Sequence, residues 1–194
     1  MRFFAPTIEQ GEADIILAFE KLEAARWLSF LKPDGKLVVN DQCIDPMPVI
    51  TGAAEYPQNI SEAIKATGAS MIELDALSLA VKAGSAKAVN VVLIGAMASH
   101  MQLSYETWIN AIKNTVPEKF LDMNLEAFRL GYEHEKKLLK RIKGRRSAKG
   151  DMIRWQSISA LKLRQRRAII CTQYRAQELI KTVKKNAMKI SQFL

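Results

Sequence analysis

The chain has 194 residues, 48% of them apolar and 25% charged, enough for one domain with a core and ordinary for a soluble globular protein. Its formal charge of +9 is unevenly spread: residues 134–194 carry 18 Lys and Arg against 3 acids, whereas residues 1–133 carry 11 against 17. No apolar run approaches the ~20 residues that cross a bilayer, the segment MRFFAPTIEQ lacks an export-signal pattern, and the two cysteines, Cys43 and Cys171, form no metal-ligand or CxxC spacing; a cytoplasmic protein with ordinary thiols and no membrane contact is expected.

DIILAF, residues 14–19, is an apolar run of strand length, as for a strand covered on both faces. The period then changes: Ala24, Trp27, Leu28 and Leu31 recur at helical spacing, predicting a helix over 20–32 that ends at KPDG, followed by a second buried strand, KLVVN. Strand, helix and strand in under ~30 residues make a βαβ unit with parallel strands. A loop with three prolines, residues 41–57, separates this unit from a helix that Asn59 and Glu62 are placed to cap and Gly68 to stop. SMIEL reads as a third strand and DALSLAVKAG as a short helix. VNVVLIGAMASHM is ambiguous from its apolar run alone, but its length and small residues favour a tightly packed helix. Ser104 starts the next helix, and Pro117 opens another with Leu121, Leu125, Phe128 and Tyr132 on one stripe. The fold class is α/β, a three-layer sandwich with a mainly parallel sheet over residues 1–133, followed by a basic, helical tail over 134–194.

The residues show no catalytic machinery of their own. The nine glycines are scattered, without a Walker or GxGxxG loop, there is no HExxH, and the only histidines, His100 and His134, read as surface or cap residues. What remains is polar decoration of the strand ends, where ligands of open parallel sheets bind. Glu20 follows the first strand, Asn40 and Asp41 end the second, and Asp75 ends the third. These form a candidate substrate or partner rim beneath the proline loop, with helix capping or turn satisfaction as the competing role for Asn40 and Asp75. Asn90, polar within AVNVVLIGA, is either a helix N-cap, the favoured reading, or a buried hydrogen-bonding residue facing the rim.

The segments GEADIILAFEKLEAARWLSFLKPDGKLVVND, PMPVITGAAEYP, AVNVVLIGAMA and FLDMNLEAFRLGYE resemble, in order, the beta subunit of indolepyruvate:ferredoxin oxidoreductase, and more broadly the gamma-type domain of the 2-oxoacid:ferredoxin oxidoreductases. The resemblance implies an accessory subunit of an enzyme that decarboxylates arylpyruvates oxidatively, with coenzyme A as co-substrate and ferredoxin as electron acceptor. It further implies that thiamine diphosphate and iron–sulfur clusters sit on a large partner subunit, and that this chain binds neither a cofactor nor a metal. Family members open with a glycine-rich strand–turn–helix, so the first βα unit is expected to be missing and one sheet edge exposed. The tail does not align with the family. It reads as a solvated or partner-docking arm ahead of a nucleic-acid-binding one, because Trp155 and Tyr174 are too few and too separated to stack bases. A fragment with no activity of its own is the remaining alternative.

Overall fold

A computed structural model describes residues 8–147 and 169–171. Three strands, β1 (Ala13–Ala18), β2 (Leu31–Asn40) and β3 (Ser70–Leu74), pair in parallel with β4 (Ile169–Cys171) in the order β3-β2-β1-β4. β1 and the carboxyl-terminal half of β2 are buried on both sides, and alternate residues serve opposite layers. Ile15, Leu17 and Val38 pack into one core with α4 (Ala76–Lys82), α5 (Val89–Ala98), α6 (Tyr105–Thr115) and α7 (Leu121–Ser147). Ile16, Ala18, Leu37 and Val39 face a second core with Ala24 of α1 (Lys21–Trp27) and Ile60 and Ile64 of α3 (Ile60–Ala66). This is the layered α/β architecture expected from the alternation of elements. Gly68 (φ +81°) and Gly84 (φ +113°) end α3 and α4 in the left-handed geometry that glycine adopts without strain.

The first crossover differs in detail from its sequence pattern. The predicted 20–32 helix stops at Trp27, a 3-10 turn covers Leu28–Phe30, and β2 already begins at Leu31. Pro33, Asp34 and Gly35 therefore lie inside the strand, where the register jumps from Ala13↔Leu31 to Ile15↔Lys36. Proline cannot donate to the ladder, so an irregularity at this point accommodates it. A side chain at Gly35 would sit 2.7 Å from Leu31 Cδ1 and 3.0 Å from the Ala13 carbonyl oxygen, so Leu31 would have to rotate aside to admit one.

The ambiguous apolar segment is the helix α5, buried from Val91 to Ala98. It crosses α7 at van der Waals contact. A Cβ on Gly95 would lie 2.2 Å from the Phe128 carbonyl oxygen, and one on Gly131 would lie 2.0 Å from that of Val92. Trp108 and Phe128 stack beside the crossing at 6.0 Å between centroids. Helix α7 runs unbroken through the 133/134 position at which the sequence composition changes. The remainder of the tail, for which one or two basic helices are expected, lies outside the described residues apart from β4. That strand pairs Ile169–Cys171 with Ile15–Leu17, so the β1 edge expected to be open is covered along half its length by the tail.

Candidate functional site

The carboxyl ends of β1, β2 and β3 converge on one polar cluster. Asn40 is its buried centre, 1% exposed. Its Oδ1 accepts from the Ala76 amide at 3.0 Å, and its Nδ2 donates to the Phe19 carbonyl at 3.3 Å and to Gln42 Oε1 at 2.9 Å. One amide side chain thus ties the end of β1, the turn after β2 and the first residue of α4, and supplies the buried Ala76 amide with its acceptor. Asp75 caps α4, accepting from the Ser78 amide at 2.9 Å and the Ser78 hydroxyl at 2.5 Å. These hydrogen bonds hold its carboxyl below the ordinary range. The capping role weighed for Asp75 is the one it has, and Asn40 serves as a turn-satisfying residue.

Glu20, 5% exposed, caps α1 by accepting from the Glu23 amide at 3.0 Å, while its other oxygen accepts from the Tyr56 hydroxyl. Burial first, and then hydrogen bonding to Glu20 and Cys43, raises the Tyr56 phenol far above its usual range, so it remains a proton donor. Asp41 pairs with Lys21 at 2.5 Å, and Lys21 also reaches Glu73 at 3.5 Å. The Asp41 hydrogen bond raises the Lys21 pKa against the opposing effect of burial. For Glu73, burial opposes ionisation, but Ser61 Oγ at 2.6 Å and Lys65 Nζ at 3.0 Å prevail and hold the carboxyl below its normal value.

Four of the five predicted rim residues, Glu20, Asn40, Asp41 and Asp75, are therefore brought together at the strand ends. Asn90 is not among them: the cap of α5 is Ala88, and Asn90 lies in the first turn of that helix, outside this network. The favoured N-cap role for Asn90 is corrected accordingly. A 3-10 turn over Ala86–Ala88, itself capped by Ser85, precedes α5 and displaces the cap upstream. Likewise Asn59 stands at the cap position of α3 but with φ 57°, and its side chain makes no capping bond.

The sequence reading did not single out Lys21, Tyr56 or Glu73. Lys21 adjoins Glu20 and was open to notice; Tyr56 and Glu73 reach the site only through the fold and have no local signature. The loop above the cluster holds the short helix α2 (Met47–Ile50), and its turn is closed by its own bonds, with Ala53 N donating to Pro48 O at 2.8 Å. It presents Ile44, Met47 and Ile50 to solvent at 56, 67 and 66% exposure. His100 Nε2 lies 3.3 Å from Oε2 of the buried Glu135, a largely buried pair in place of the surface or cap position expected for His100.

The result is a parallel sheet wrapped on both faces with a polar strand-end cluster under a protruding loop, at the edge where open α/β sheets commonly bind ligands. The chain belongs to the pyruvate ferredoxin/flavodoxin oxidoreductase family, whose pattern it matches over residues 2–134. It is 37% identical over 142 residues to the indolepyruvate oxidoreductase subunit IorB of Thermococcus kodakarensis, spanning 70% of each chain. It is 36% identical over 141 residues to the same-named subunit of Pyrococcus horikoshii, again 70% of each. Among solved structures, the gamma subunit of a keto/oxoacid ferredoxin oxidoreductase from Geobacter sulfurreducens is 23% identical, with a TM-score of 0.49 over 66% of each chain. No helix among the described residues is long and apolar enough to cross a membrane.

Proposed function

We propose that this chain is the accessory subunit of a 2-oxoacid:ferredoxin oxidoreductase acting on indolepyruvate and related arylpyruvates. The observation that carries this reading is the family match across residues 2–134 together with 37% identity to a subunit named for indolepyruvate. In such a reaction the substrate carboxylate leaves as carbon dioxide, the acyl group passes to the coenzyme A thiol, and two electrons pass to ferredoxin. An iron–sulfur cluster takes four protein ligands, mostly thiolates. Two cysteines in 194 residues do not fit that donor set, and no group of three or more metal-ligating side chains occurs among the described residues. On this reading thiamine diphosphate and the clusters belong to a large partner subunit.

The part of this chain is to close one side of the active centre. Ile44, Met47 and Ile50 offer an apolar contact surface on a loop braced by Pro46 and Pro48, and Tyr56 anchors the base of that loop to Glu20. Apolar side chains this exposed cost nothing to remove from the monomer and contribute only when a partner buries them. Co-expression with the large thiamine-binding subunit of the same organism tests the reading. A co-purifying complex that reduces ferredoxin faster with indolepyruvate than with pyruvate is expected, and an I44D/M47D/I50D variant that retains its melting temperature should fail to co-purify. Absence of a complex with the unaltered chain would refute the assignment, and equal rates with pyruvate would refute the substrate.

A further inference from the structure

The last buried residue of α7 whose side chain is described is Glu135, and beyond it the character of the helix changes. Up to this point charges alternate and pair along the helix: Arg129 with Glu126 at 2.6 Å and with Glu133 at 2.9 Å, and Lys137 with Glu133 at 4.0 Å. After Glu133 and Glu135 the acids stop. Lys136, Lys137, Lys140 and Arg141 are exposed, Lys136 lies over the Tyr132 ring at 4.5 Å, and Lys140 and Arg141 have no ion pair among the described residues. The helix backbone continues to Ser147 through a sequence that adds Lys143, Arg145 and Arg146.

Seven cations thus occur between Lys136 and Arg146 without an intervening acid. At 1.5 Å per residue this is a spacing of roughly one positive charge per 2 Å of helix axis. Duplex DNA presents one negative charge per ~1.7 Å. Folded acidic proteins intersperse their carboxylates with apolar and basic groups and do not offer a linear density of that order. The segment also lies beyond residues 2–134, so the family fold does not account for it.

We propose that the carboxyl-terminal half of α7 is a docking surface for the phosphate backbone of nucleic acid, bound through charge and without sequence preference. It adds a second, independent binding partner to the chain. The test is fluorescence anisotropy of the full chain with a labelled 20-bp duplex from 50 to 200 mM salt, with poly-glutamate as competitor. The logarithm of affinity should fall linearly with that of salt, about 0.9 for each phosphate neutralised. A K136Q/K137Q/K140Q/R141Q variant should reduce that slope by up to about 3.6 and bind at least 10-fold more weakly at 100 mM salt. The single R141Q substitution, at an exposed side chain, should reduce the slope by about 1 and serves should the quadruple variant fail to fold. No binding at 50 mM salt, a slope unchanged by these substitutions, or equal affinity for poly-glutamate would each overturn the proposal, the last in favour of an acidic protein.

Discussion

Replacing Gly131 by alanine separates two opposed expectations. In an exposed helix the change removes a poor helix former and stabilises by about 1 kcal/mol. Here the new methyl group would lie 2.0 Å from the Val92 carbonyl oxygen, 2.9 Å from its carbon and 3.1 Å from the Ala96 nitrogen, all backbone atoms of the neighbouring helix. No side chain can rotate away, so α5 and α7 must part by about 1 Å to restore even the tightest tolerated contact of 3.0 Å. Such overpacking costs typically 1–3 kcal/mol and sometimes more. The rigidity of two backbones places it at or above the upper end, and about 2–3 kcal/mol remains after the helix-propensity gain. For a chain of this size that corresponds to a fall in melting temperature of roughly 5–10 °C, measured by circular dichroism at 222 nm with urea unfolding in parallel. A G131A protein with an unchanged or raised melting temperature would refute the close crossing of the two helices.

The strand-end cluster yields further expectations. Asn40→Ala leaves the Ala76 amide buried without its acceptor and should destabilise the domain by about 1–3 kcal/mol in urea. Tyr56→Phe removes the hydroxyl that anchors the proline loop to Glu20, and limited proteolysis should cut residues 43–55 faster while the overall melting temperature falls only slightly. Because the folded Glu73 carboxyl titrates below its unfolded value, its contribution is fully present above pH ~4.5 and is lost as pH falls through the folded pKa. The stability difference between the unaltered chain and Glu73→Gln should therefore shrink on acidification below that pH. A difference constant from pH 7 to 3 would contradict the Ser61 and Lys65 contacts.

What could be read from the chain follows the range of the forces involved. Short apolar runs mark strands, so DIILAF, KLVVN and SMIEL locate β1, the main part of β2 and β3. The small residues of α5 announce close helix packing, although only the fold reveals that Gly95 and Gly131 serve the same crossing. Pro33 and Gly35 resemble a helix terminator and in fact mark an irregularity within β2, because local turn chemistry does not say which elements it separates. Glu20, Asn40, Asp41 and Asp75 were legible as strand-end positions. Tyr56, 36 positions from its partner Glu20, and Glu73, 52 positions from its partner Lys21, were not, since nothing in a proline loop or an edge strand indicates which carboxylate or lysine it will meet. Strand β4 was equally invisible: three apolar residues in a basic stretch have no period of their own.

That same short strand has a consequence for the order of assembly. Ile15 pairs with Ile169, so one neighbour of β1 is supplied by residues made about 150 positions later, while β1, β2 and β3 all lie within residues 13–74. At synthesis rates of about 5–20 residues per second, β1 waits on the order of ten seconds for this neighbour. During that interval its outer backbone groups form a template for any extended segment within reach, and chaperones or a partner subunit would find the nascent chain most receptive then.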